Sequence, residues 1–388
     1  MELLVKRIYV ALVVFLIVAL VSCGEKMKLP TEVPPPGTIG DTLYLLINPP
    51  WDAEHGFNFS GVTSLCFGRD TYLYIADTGN NRIFQLDAAG TIHDEFQIDN
   101  PISISQDEYM RLLVVTGEKR IYKIDVGPGG DRVARVAFDY DVAPADVPPS
   151  DTGGYFFKLH SMVDSTDRFM SITDLPFFDK SYFVAVSSDR MNNGRVLWFW
   201  GATQGGEFTD SLFDSKYSNA DADTFRNPVV VTGNGITTTT FPNSIYTYLD
   251  GSAMHLIVCQ DSGSYPVHDM RFERQVWDRH WVFNYTHNPG ETDLLTRGFF
   301  DGPRGATVDP LGNIYVVESG ISGQCGAYKF SKRGELLETF CDADSGLSIF
   351  DSPSGITYDI YGDRRTVYIS DTGNNRILRF KLSTDLEP

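Results

Sequence analysis

The sequence predicts an all-β fold: a six-bladed β-propeller whose blades are four-stranded antiparallel sheets. Three features carry this expectation. Residues 60–87 (SGVTSLCFGRDTYLYIADTGNNRIFQLD) align without a gap on residues 354–381 (SGITYDIYGDRRTVYISDTGNNRILRFK), so one supersecondary unit is used twice. Between them lie further alternating runs that end in turns, the period-two pattern of half-buried strands. Aromatic residues make up 13% of the 388 positions, with 35 Gly and 20 Pro, a composition of strands and turns rather than helices.

Residues 1–22 read as an export signal. Lys6 and Arg7 precede an apolar run over 8–22, shorter than the roughly 20 apolar residues a membrane-spanning helix needs. Leu20-Val21-Ser22-Cys23 resembles the lipobox of bacterial lipoproteins. That resemblance implies processing between Ser22 and Cys23, a lipid on the Cys23 thiol, and an extracytoplasmic chain anchored to a membrane. Residues 23–40 follow as a spacer, rich in proline and poor in large apolar side chains, which favours stiff extended chain over a core. The propeller is expected over 41–388.

The segment DTLYLLINPP (41–50) is a strand pattern that precedes the first repeat unit. Six units then follow, marked by their first apolar residues Val62, Ile102, Ile172, Ile245, Ala306 and Ile356. Second strands are expected at YLYIAD, RLLVVT, YFVAVSSD, HLIVCQD, IYVVES and VYISD, and third strands at RIFQLD, RIYKID, RVLWFW, DMRFE, AYKF and RILRFK. Fourth strands are visible in TIHDEFQI, RVARVAF, HWVFNY and LLETFC. The sixth unit stops after its third strand, so residues 41–50 are expected to supply its outer strand and lock the ring.

Within DTGNNRI, Asp77 and Asp371 end a strand and can accept hydrogen bonds from turn N–H groups. Gly79 and Gly373 can take positive φ at little cost, and Asn80, Asn81, Asn374 and Asn375 tolerate left-handed backbone better than most residues. Arg82 and Arg376 open the next strand within reach of the aspartates. A structural turn and a ligand contact both remain open as readings of these residues. The pattern from Tyr-Ile through Asp-Thr-Gly-Asn-Asn-Arg-Ile resembles the NHL repeat, clearest over 60–98 and 299–385. That resemblance implies a six-bladed binding platform, on a blade type that also serves lyases and lactonases.

The formal net charge of −19 argues against nucleic acid as a partner. Cys325 and Cys341 lie symmetrically about Arg333, so a hairpin there would place them opposite each other, as a disulfide or as buried thiols; Cys66 and Cys259 read as buried thiols. His160, His255 and His268 show no metal-ligand spacing in sequence. Asp309 and Asp359 end matching inner strands, where carboxylates can either face solvent or ring a divalent cation, Ca or Zn, at the tunnel mouth. Residues 139–169, 201–241 and 287–300 exceed hairpin length. Their aromatics Tyr155, Phe156, Phe157, Tyr217 and Phe225 suit either a bound partner or the cover of a blade edge.

Two functions compete at this level. The first is a non-catalytic envelope lipoprotein that binds a protein, peptide or cell-wall glycan. The second is a metal-dependent hydrolase or lyase, lactonase-like or amidating-lyase-like, with its ion in the central tunnel.

Overall fold

The structure is a computed structural model that describes residues 43–139, 166–176, 181–188, 194–200, 224–274, 281–286, 292–319, 326–341, 348–359 and 365–383. The N-terminal strand β1 spans Tyr44–Trp51. Blade one follows as β2 (Val62–Phe67), β3 (Leu73–Asp77), β4 (Arg82–Leu86) and β5 (Ile92–Gln97). Blade two is β6 (Ser103–Gln106), β7 (Arg111–Val115), β8 (Arg120–Asp125) and β9 (Ala134–Asp139). Blade three is β10 (Asp167–Asp174), β11 (Ser181–Ser188), β12 (Arg195–Trp200) and β13 (Thr224–Val230). Blade four is β14 (Pro242–Asp250), β15 (Ala253–Gln260), β16 (Val267–Arg274) and β17 (Trp281–Tyr285). Blade five is β18 (Pro303–Val308), β19 (Ile314–Glu318), β20 (Ala327–Phe330) and β21 (Leu336–Thr339). The last blade holds β22 (Pro353–Tyr358), β23 (Thr366–Asp371) and β24 (Arg376–Leu382).

That last sheet has the order β1-β24-β23-β22, so the first strand of the domain completes the sixth blade as the sequence predicts. Aromatic side chains pin β1 at both ends. Tyr44 packs on Tyr315 and Phe340, and Trp51 on Phe57 and Tyr368, while Leu45 and Leu46 between them stay exposed. The fourth strand of blade three is a finding the sequence pattern did not give. TFRNPVV lies inside the expected 201–241 insertion, so Phe225 belongs to β13, opposite Phe199, and not to a loop. Two register shifts and Pro228 blur its alternation.

Six inner strands, β2, β6, β10, β14, β18 and β22, meet in that order and close a ring around a central tunnel. An inner edge strand leaves a row of N–H groups without ladder partners, and buried donors of this kind must be satisfied. Hydroxyls on the neighbouring blade do this. Ser64 Oγ accepts from Ile104 N–H at 3.2 Å, Ser103 Oγ from Ile172 at 3.2 Å, and Ser171 Oγ from Ile245 at 3.1 Å. Thr173 Oγ1 accepts from Thr247 N–H at 3.2 Å and Thr357 Oγ1 from Phe67 at 3.1 Å. Ser and Thr residues of the inner strands therefore stitch blades six, one, two, three and four in series.

The DTGNNRI turn is a latch inside each end blade. Buried Asp77 accepts from Ser60 N–H (2.7 Å), Asn80 Nδ2 (2.9 Å) and Arg82 Nε (2.8 Å). Asp371 repeats the set with Asp351 N–H (2.6 Å), Asn374 Nδ2 (2.9 Å) and Arg376 Nε (2.6 Å). The remaining motif residues reach the following blade: Asn81 Oδ1 accepts from Asn100 N–H, Asn375 Oδ1 from Gly61 N–H, and the hydroxyls of Thr78 and Thr372 donate to Pro101 and Val62 carbonyls. Positive φ falls on Asn81 (55°) and Asn375 (51°), two of the asparagines read as tolerant of it, and not on Gly79 or Gly373. Gly79 and Gly373 are required for close approach instead, because a Cβ would stand 2.5 Å from Ser60 Oγ or from the Asp351 carboxyl carbon.

Candidate functional site

The tunnel encloses a cavity of about 110 Å³, lined mainly by Ser, Thr and small apolar residues of the inner strands. Arg304, second residue of β18, is the one Arg, Lys, Asp or Glu in that lining. It stands at the end where the inner strands begin. Arg304 Nη1 donates to Asp261 Oδ1 at 2.7 Å, with the guanidinium side chain 36% exposed. Asn243, next to it on β14, donates through Nδ2 to Asp261 Oδ1 (3.0 Å) and to the Pro303 carbonyl (2.9 Å). Two oxygen partners fix the amide orientation, so Oδ1 is the acceptor end; it is buried and has no partner among the described residues. Sequence reading missed both residues, whose only signal is an Arg and an Asn set among small residues at inner-strand starts.

The opposite end of the tunnel carries a second polar group. Arg69, in the turn after β2, donates through Nη2 to Asp174 Oδ2 at 2.9 Å, reaching from blade one to blade three. Gln106 of blade two bridges beneath, accepting from Arg69 N–H and donating to Asp70. Burial pushes the Asp174 carboxyl up to about 7 against the pull of Arg69, and the negative charges of Asp107 and Glu108 add to the rise. The Cys66 thiol on β2 is pushed up to about 12 by burial, so it is protonated and a poor nucleophile. Cys66 is half-buried as a residue, Cys259 is fully buried, and both are free thiols.

His255 and His268 are absent from the tunnel lining. His255 lies within blade four, stacked on Tyr248, whose hydroxyl donates to Asp269 Oδ2 at 3.0 Å. His268 donates through Nδ1 to the Ile236 carbonyl (2.7 Å) and receives Gln260 Nε2 on Nε2 (2.9 Å), which requires the neutral ring. Burial lowers its pKa accordingly. His160 lies outside the described residues. Asp309 is buried and engaged by Leu311 N–H, Asn313 N–H, Asn313 Nδ2 and the Tyr315 hydroxyl, so it closes its own turn rather than facing a tunnel ion. Asp359 is buried and is absent from the cavity lining.

A divalent ion in the tunnel needs converging carboxylate, carbonyl or imidazole ligands. Among the described residues no group of three His, Cys, Asp or Glu is placed to hold one, and the tunnel hydroxyls already serve backbone donors. The described lining of the tunnel presents no such set. Of the loop aromatics, Tyr155, Phe156, Phe157 and Tyr217 lie outside the described residues. In the third long connection, Leu294, Phe299 and Phe300 pack against Tyr328 and Phe330, so that segment covers a blade edge. The β20–β21 hairpin forms with Tyr328 opposite Thr339. Cys341 beyond it is disulfide-bonded, while Cys325 and Cys23 lie outside the described residues.

No protein-family profile matches the chain, and no curated protein matches it in sequence. Solved structures do resemble it. A luciferin-regenerating enzyme superposes with a TM-score of 0.51 at 12% identity, over 87% of this chain and 95% of that one. Regucalcin from Agrobacterium tumefaciens, described as a calcium-binding protein, gives 0.51 at 10% identity, over 85% and 93%. A streptogramin B lyase covers 88% of this chain and 98% of its own at a TM-score of 0.42 and 12% identity. At these identities the likeness shows the fold: the chain is a six-bladed β-propeller.

Proposed function

We propose that the chain is a lipid-anchored extracytoplasmic propeller of the NHL type that binds a protein, peptide or cell-wall ligand without chemical turnover. The observation that carries this reading is the polar set of the tunnel: hydroxyls, one amide and one guanidinium, a surface suited to hydrogen bonding and, among the described residues, lacking a paired acid and base. The disulfide at Cys341 supports an oxidising compartment, in keeping with the lipobox at Cys23. A disulfide between Cys325 and Cys341 is the pairing we favour. The second reading, a metal-dependent hydrolase or lyase, draws support from the names of the propellers that superpose, an enzyme and a calcium-binding protein.

Two measurements separate them. Cys23→Ser should move the chain from the membrane fraction to the soluble fraction, and the wild-type chain, crosslinked in intact cells, should join to an envelope component. Elemental analysis of the purified chain before and after chelator should find no stoichiometric divalent ion. A tightly held ion whose removal abolishes lactone or ester hydrolysis overturns the non-catalytic reading.

A further inference from the structure

We propose that the Arg304 end of the tunnel binds a small carboxylate that carries an adjacent O–H or N–H donor. The inference rests on the reading of the chain as a binding propeller and names the ligand chemistry of that site. Arg304 Nη1 donates to Asp261, and its remaining guanidinium donors have no partner among the described residues. A planar guanidinium offers five donors in a fork that matches a carboxylate. The rest of the cavity lining holds no Arg, Lys, Asp or Glu, so the Arg304–Asp261 pair is the charged feature at this end, with the guanidinium as its part in the cavity wall.

Asn243 adds the second half of the recognition. Its Nδ2 is held by Asp261 and Pro303, which leaves Oδ1 as a buried acceptor with no partner among the described residues. A buried acceptor left bare is disfavoured, the usual sign that a donor is missing from the site. Ligands of the required type present a carboxylate to Arg304 and a neighbouring donor to Asn243. A cavity of about 110 Å³ accepts only a small molecule or the terminal residue of a longer one. Two sources share this chemistry, a free hydroxy acid and the C-terminal end of a peptide.

The test is a thermal-shift titration of the full chain in detergent with four probes. L-lactate supplies carboxylate and hydroxyl, N-acetyl-L-alanine supplies carboxylate and amide N–H, propionate lacks the donor, and lactamide lacks the charge. Saturable stabilisation is expected with lactate or N-acetylalanine, with the tighter of the two identifying the source. Propionate should bind more weakly and lactamide not at all. Arg304→Gln should weaken carboxylate binding about ten- to a hundredfold, and Asn243→Leu should reduce the better probe to the level of propionate.

No saturable shift with any carboxylate, or an unchanged shift in Arg304→Gln, overturns the inference. If Arg304→Gln does not fold, Arg304→Lys decides: it keeps the charge but loses the fork, and unchanged affinity there also overturns the inference. Crosslinking to an envelope partner with no carboxylate binding would leave the binding reading intact while sinking this one.

Discussion

Blades six and four solve the same problem with opposite chemistry. In each, the last residue of the second strand pairs with the first residue of the inner strand, Asp371 with Pro353 and Gln260 with Pro242. In each, its side chain accepts the backbone N–H two residues before that inner strand: Asp351 in blade six, Thr240 in blade four. Blade six backs its acceptor with Arg376, whereas blade four backs Gln260 with the neutral ring of His268. Blade five puts Glu318 at the same place, on the N–H groups of Asp301 and Gly302. Blade three moves the acid onto the inner strand, where Asp167 meets Arg195 while Ser188 ends the second strand. Blades one, four, five and six share an acceptor at this point, and a charged DTGNNR is one way to supply it.

The sharpest way to break the comparison is to remove what only blade six needs. Deleting residues 43–51 takes away β1, together with the buried rings of Tyr44 and Trp51. Losing two such aromatics at about 3–5 kcal/mol each should lower Tm by roughly 10 °C or more, before the exposed edge of β24 is counted. Calorimetry of the deleted chain checks this. An unchanged transition would mean that the ring closes without β1. No equivalent deletion exists for blade four, whose strands are consecutive in the chain.

Next in size are the acceptors. Asp371→Ala strands a buried N–H and leaves Arg376 without its carboxylate, which should cost about 3–5 kcal/mol. Gln260→Ala strands the Thr240 N–H and the Thr239 hydroxyl but leaves no ion behind, so about 1–3 kcal/mol is expected. Urea unfolding of both variants measures the difference. Equal losses would show that the Arg contributes nothing beyond the neutral latch.

The same contrast explains what could be read from the sequence. Four strands per unit, the six inner-strand markers and the closure by residues 41–50 were legible because alternation and the repeated DTGNNRI survive in the end blades. The latches of blades three to five were not legible. Asp167 sits on a different strand from Asp77, and Gln260 with His268 carries no charge pattern to match. The strand TFRNPVV was hidden by Pro228 and by two bulges against β12. The tunnel site was hidden for another reason. Arg304 and Asn243 are far apart in sequence and meet only because β14 and β18 are neighbours in the ring.

The smallest expected effect is the most specific to blade four. His268 must be neutral to accept from Gln260, and burial holds its pKa below the ordinary value of 6.5. The folded state therefore binds fewer protons at this ring than the unfolded chain does. Stability contributed by the neutral ring is present above about 6.5, the ordinary value for unfolded His, and falls as pH drops below it toward the folded pKa. His268→Gln keeps a polar side chain at the latch without the titration, so its acid limb between about pH 6.5 and 5 should be flatter than that of the wild-type chain. Asp174, raised to about 7 by burial, works in the opposite direction, since its protonated form is favoured in the folded state as pH falls. Subtracting the stability curves of the two chains cancels Asp174 and isolates the imidazole. If the difference curve does not bend in that window, the ring of His268 is not the neutral counterpart of Arg376.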